Sequence, residues 1–95
     1  MSIGVTNGAT TIPAAGSQPV QLATANTAMG VLIYASSANS GAVYIGGPNV
    51  TSATGVPIDA GSYLGVDTGD LGSVYLAGTE NDTVRWLSTG RTLPP

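Results

Sequence analysis

Short runs of β-branched and aromatic residues recur between turn-forming residues at intervals of roughly 8–12 positions, the spacing of an all-β sandwich or barrel. The runs fall at 3–6, 20–24, 30–35, 42–46, 62–67, 73–77 and 82–88. Between them stand Asn7-Gly8, Asn39-Ser40-Gly41, Gly46-Gly47-Pro48-Asn49, Ala60-Gly61, Thr68-Gly69-Asp70 and Glu80-Asn81-Asp82. Each supplies a positive φ or a local side-chain hydrogen bond, the two things a tight turn needs. No stretch carries a helical period. The fold expected is all-β, a small antiparallel β-sandwich or jelly-roll-like barrel of about seven or eight short strands. One domain fills residues 1–95, divided into a candidate extended N-terminal arm at 1–19, the sandwich at 20–88 and a C-terminal tail at 89–95.

Side-chain parity says more than the spans. Val31 and Ile33 oppose Tyr34, Val43 and Ile45 oppose Tyr44, Leu64 and Val66 oppose Tyr63, and Val74 and Leu76 oppose Tyr75. Alternate residues of a strand point to opposite faces, so the aliphatic set is the expected core and all four tyrosines stand outside it. They either meet a partner, as amphipathic rings do at interfaces, or cover a solvent face. Val84, Trp86 and Ser88 share one parity and Arg85 takes the other. Trp86 is expected as a core plug, with a binding hot spot as the alternative. The segments 41–47 and 72–78 both read G-x-V-Y-[IL]-x-G; two copies are too few for a solenoid, so they are expected as equivalent strands ending in glycine turns.

Charge is distributed unevenly. Asp59, Asp67, Asp70, Glu80, Asp82, Arg85 and Arg91 are the only ionisable acids and bases, and none precedes residue 59. Proton transfer and metal binding draw on His, Cys, Asp, Glu or Lys, and the first 58 residues offer only hydroxyls, amides and backbone. Enzymatic function is therefore not expected, nor a cofactor. Two arginines against five acids do not make the basic footprint that nucleic acid requires. The longest apolar run of the uncharged half, residues 28–35, is far short of the roughly 18–20 residues that span a bilayer. The first residues have neither a basic n-region nor an apolar h-region, so no export leader is expected. Fourteen glycines, six prolines and no phenylalanine leave few large side chains for a core, a deficit that oligomerisation would offset.

Several short motifs compete for a chemical reading. Asp67-Thr68-Gly69 follows an apolar strand and matches the Asp-Thr-Gly of aspartic proteases, whose retroviral form is a β-rich homodimer with one carboxylate per subunit. In that family the triplet lies near the first quarter of the chain and precedes a small residue; here Asp70 comes next and the chain is nearly finished. A turn is the alternative. Asp67 with Asp70, or Glu80 with Asp82, could offer oxygens to Ca²⁺, although the EF-hand ligand pattern is absent. The tyrosines and Trp86 leave open a small carbohydrate-binding module, since flat aromatic platforms bind sugars.

The segments Val43-Tyr44-Ile45-Gly46-Gly47-Pro48-Asn49-Val50-Thr51, Gly55-Val56-Pro57-Ile58, Gly61-Ser62-Tyr63-Leu64, Asp70-Leu71-Gly72-Ser73-Val74-Tyr75 and Val84-Arg85-Trp86-Leu87 resemble small β-domain structural proteins of tailed bacteriophages. The shared cadence is V-Y-[IV]-G-G…G-x-P-[IL], and it covers about half the chain. The resemblance implies a virion component made in the bacterial cytoplasm, foremost a decoration or cement protein on the capsid surface, with a tail, neck or fibre component as alternative. The expected partners are further copies of the chain, a homotrimer being favoured because symmetric placement turns modest contacts into avidity, and the major capsid protein or another virion protein; charge and apolar-run length leave out nucleic acid and membrane. The interface candidates are Tyr34, Tyr44, Tyr63, Tyr75 and Arg85, and the uncharged N-terminal half is expected to supply most of the contacts.

Overall fold

The computed structural model describes residues 2–23, 30–68 and 70–92, with side chains described for all of these but 2–4, 6 and 89–92. Its eight strands are β1 Ser2–Thr11, β2 Val20–Gln21, β3 Gly30–Ala35, β4 Val43–Gly46, β5 Val56–Ile58, β6 Tyr63–Val66, β7 Tyr75–Ala77 and β8 Thr83–Thr92. Each strand of the first half pairs antiparallel with its counterpart counted from the other end: β1 with β8, β2 with β7, β3 with β6 and β4 with β5. The chain is thus one long ribbon doubled back at residues 47–55. Further pairing of β3 with β8 and of β4 with β7 rolls the ribbon into two sheets. The front sheet has the order β1-β8-β3-β6 and the back sheet β2-β7-β4-β5, which is the strand order of a jelly roll.

The parity rule holds at the core. Val31, Ile33, Ala35 and Val84 of the front sheet meet Val43, Ile45, Ile58 and Leu76 of the back sheet, and Ile12, Leu22 and Leu71 join the same cluster. Each such aliphatic side chain contributes roughly 1.5–3 kcal/mol when buried. Leu64, Val66 and Trp86 pack against the cluster while partly buried. Trp86 therefore lies on the inner side with Val84 and Ser88, as a plug at the margin of the core rather than at its centre. Its ring lies over Gly8 of β1, where a Cβ would come within 2.5 Å of the indole. The two echoing segments become neighbours, β4 against β7, with Ile45 opposite Leu76. Two of the turn signals take the left-handed conformation, Gly61 at φ +82° and Asn81 at φ 74°, a region that glycine and asparagine tolerate best, whereas Asn7-Gly8 lies inside β1.

Three expectations need correction. The N-terminal segment is extended but is not a free arm, because residues 2–11 form β1 and pair with β8 along its whole length. The chain just beyond β1 is held in place as well. Ile12 is fully buried, and Gln18 donates to the carbonyls of Pro13 and Gly78 while accepting from the Gly78 amide. The tail expected at 89–95 begins inside β8, which runs to Thr92; residues 93–95 lie outside the described residues. Strand β5 is the third difference, since Val56-Pro57-Ile58 does not read as a strand in sequence. Proline cannot donate to a ladder and is confined to sheet edges, and an edge is where β5 lies.

Candidate interaction face

Backbone pairing brings three of the five interface candidates into one row. Across the front sheet the register sets Ala9 opposite Arg85, Arg85 opposite Tyr34, and Tyr34 opposite Tyr63. Residues directly opposite one another share a face, here the outer one. The rings of Tyr34 and Tyr63 have centroids 5.2 Å apart at an interplanar angle of 53°, within the range of favourable aromatic pairs. The next row on the same face holds Asn7, Leu87, Leu32 and Gly65, and Val5 lies beyond it on β1. Four of the large apolar side chains left exposed belong to this face: Val5 at 66%, Tyr63 at 64%, Leu87 at 48% and Leu32 at 43%. Gly65 carries no side chain and has open space above it. A shallow groove results, with Asn7, Leu32, Tyr34, Arg85 and Leu87 in its lining and Gly8 and Trp86 reaching it from the inner side. Two charged residues with described side chains lie on the face: Arg85 in the tyrosine row and, at the end of β6, exposed Asp67, whose carboxylate lies 3.7 Å from where a Cβ on Gly30 would stand.

Tyr44 and Tyr75 go elsewhere. They lie on the outer face of the back sheet, diagonal neighbours on β4 and β7, since Tyr44 opposes Ala77 and Tyr75 opposes Gly46. That face is partly roofed. Residues 47–55 fold across it, Val50 is 5% exposed, and its methyl lies where a Cβ on either Gly46 or Gly55 would come to 2.7 Å. Gly55 also lies against the Cβ of Tyr44. The four tyrosines thus serve two opposite faces, and Trp86 faces inward, so no common aromatic platform for a sugar forms among them.

Sequence reasoning missed Leu32, Leu87 and Val5. The signal was available for two of them, because Leu32 has the parity of Tyr34 and Leu87 that of Arg85. Val5 required the pairing of β1 with β8. The exposed face draws on both parts of the chain. Val5, Leu32 and Tyr34 come from the uncharged half, while Tyr63, Arg85 and Leu87 come from the charged remainder. The ribbon interleaves the two halves strand by strand, so a division along the sequence is not a division in space.

Two of the acidic residues take structural places. Asp82 is buried, and its two carboxylate oxygens accept from the amides of Ser40 and Gly41, which ties two turns together. That replaces the calcium reading for Asp82. Asp70 caps the 3₁₀ turn Leu71–Ser73 by accepting from the Gly72 amide. The Thr68 hydroxyl donates to the Asp70 carbonyl, so Asp67 and Thr68 lead into a hydrogen-bonded turn; Gly69 lies outside the described residues. Among the described residues no three His, Cys, Asp or Glu side chains converge on a common point, and no helix is long and apolar enough to cross a membrane. Compared with family models, curated proteins and solved structures, the chain matches none.

Proposed function

We propose that the protein is a structural subunit of a tailed-bacteriophage particle, one that self-associates and binds the shell of the head as a decoration or cement protein. The observation that carries this reading is the outer face of the front sheet, where Val5, Leu32, Leu87 and Tyr63 are exposed together, with Arg85 in the tyrosine row and Asp67 at the end of β6 as its described charges. Contiguous exposed apolar surface marks a place where another macromolecule sits. The assignment to a phage particle rests on the sequence cadence from Val43 to Leu87. The jelly roll is compatible with it, being an architecture shared by viral capsid and lectin domains, but a fold does not choose a function.

The physics of such a face suits a cement protein. Small side chains and rigid rings lose little conformational entropy when immobilised, and many copies on a symmetric lattice turn modest single contacts into avidity. Contacts made with so little charge are weakly screened by salt, which suits a particle that meets variable ionic strength. The test is electron microscopy of purified particles with and without the protein, combined with release across a salt series. The expected result is regular density on the head that persists at high salt. Release at moderate salt would overturn the apolar mechanism, and density confined to the tail or neck would move the protein to that part of the particle.

A further inference from the structure

The four sheet edges are unequal. On the back sheet, β2 offers two residues and β5 three, one of them Pro57; on the front sheet, β6 offers four. Short strands and proline are common ways to blunt an edge against pairing. The fourth edge, β1, is ten residues long, and its sequence Ser2–Thr11 contains neither proline nor charge. Among the described residues it has neither of these protections.

The hydrogen-bond parity of β1 is set by its register. Ile12 donates to the Asp82 carbonyl at 2.8 Å, immediately beyond the pairs Thr11 with Thr83 and Thr10 with Val84. In an antiparallel ladder hydrogen-bonded pairs alternate with non-bonded ones, so Thr6, Gly8 and Thr10 bond to β8. The amides and carbonyls of Val5, Asn7, Ala9 and Thr11 then point away from the sheet. No turn or loop hydrogen bond among the described residues engages the main chain of Val5, Asn7 or Ala9.

We propose that this edge is the self-association surface, with β1 pairing antiparallel to β1 of a second copy across a two-fold axis. This deepens the self-association in the reading above and rests on it, but not on the presence of a particle. An exposed ladder selects an extended strand as its occupant, because the main chain makes the bonds. The second copy offers one of equal length, with the same alternation of free groups. A strand paired with itself about a two-fold is self-complementary, as an isologous contact must be. The chain's net charge of −3 does not oppose the approach at this point, since β1 itself is uncharged. Pairing also joins the two bare front faces into one eight-stranded surface, and Val5 moves from its rim to its centre. The assembly so formed is two-fold rather than the trimer expected in the sequence analysis.

The test uses the full chain without particles. Sedimentation over a concentration series should show a reversible dimer. Asn7→Pro removes an outward amide that β8 does not use, so the monomer should fold with an unchanged circular dichroism spectrum while the dimer dissociation constant rises at least about tenfold. Amide hydrogen exchange of the unaltered protein gives an independent reading. Val5, Asn7 and Ala9 should be protected at high concentration and exchange freely on dilution, while Thr6, Gly8 and Thr10 stay protected throughout. A monomer at every concentration would overturn both this proposal and the self-association it rests on. A dimer or trimer whose odd-numbered amides exchange freely, or which survives Asn7→Pro, would overturn the edge pairing alone.

Discussion

On the back sheet, residues 47–55 cross over Tyr44 and bury Val50, and two glycines, Gly46 and Gly55, let that segment approach the strands closely. On the front sheet, Leu32, Leu87 and Tyr63 stay open, and Gly65 has nothing above it. Both faces are built from tyrosines alternating with core aliphatics, yet one is covered by the chain's own hairpin connection and the other is left bare by the described residues. The difference teaches that parity alone does not mark a contact surface. What separates the faces is whether the turn of the ribbon has a path back over them. It does at the back sheet, since the β4–β5 connection leaves from that sheet and returns to it.

The largest effect expected from breaking this contrast concerns binding. Replacing both Tyr63 and Leu87 with alanine should weaken attachment to the particle by about 2 kcal/mol, roughly 30-fold, as for truncated interface anchors. Thermal stability should stay nearly unchanged, because both side chains already face water; a co-sedimentation assay and a melting curve read the two quantities. On the covered face the sign reverses. Gly55→Ala places a Cβ 2.7 Å from both the Tyr44 Cβ and the Val50 methyl, and should cost about 1–3 kcal/mol in urea unfolding while leaving particle binding alone. An unfolding midpoint equal to that of the unaltered protein would mean that residues 47–55 do not pack as described.

One substitution made on both sides sharpens the comparison further. Val50→Thr buries a hydroxyl and should cost about 1–2 kcal/mol. Val5→Thr, the same change at an open position of the front face, should fall within about 0.5 kcal/mol. Equal effects at the two sites would remove the distinction between covered and bare faces.

Much of the fold was legible in the sequence. The span of β3 matches the expected 30–35, and the aliphatic set Val31, Ile33, Val43, Ile45, Val74 and Leu76 is buried as parity demands. Strand β1 was underestimated because Asn7-Gly8 reads as a turn; a glycine at that place instead makes room for the Trp86 ring, a requirement set by a residue far along the chain. The candidate site was half legible. Tyr34, Tyr63 and Arg85 meet on one face, but Tyr44 and Tyr75 carry the same local signal and lie on the opposite side.

By itself the sequence determined the alternation of inward and outward residues, most of the turns and the scarcity of charge, because each depends on near neighbours and on side-chain type. Only the tertiary structure decided which outward residues share a face, which face is roofed and which edge is left long and unprotected. Those are properties of pairing between strands as far apart as β1 and β8. In a jelly roll the partner of a strand is fixed by how the whole ribbon rolls, and no local pattern records it.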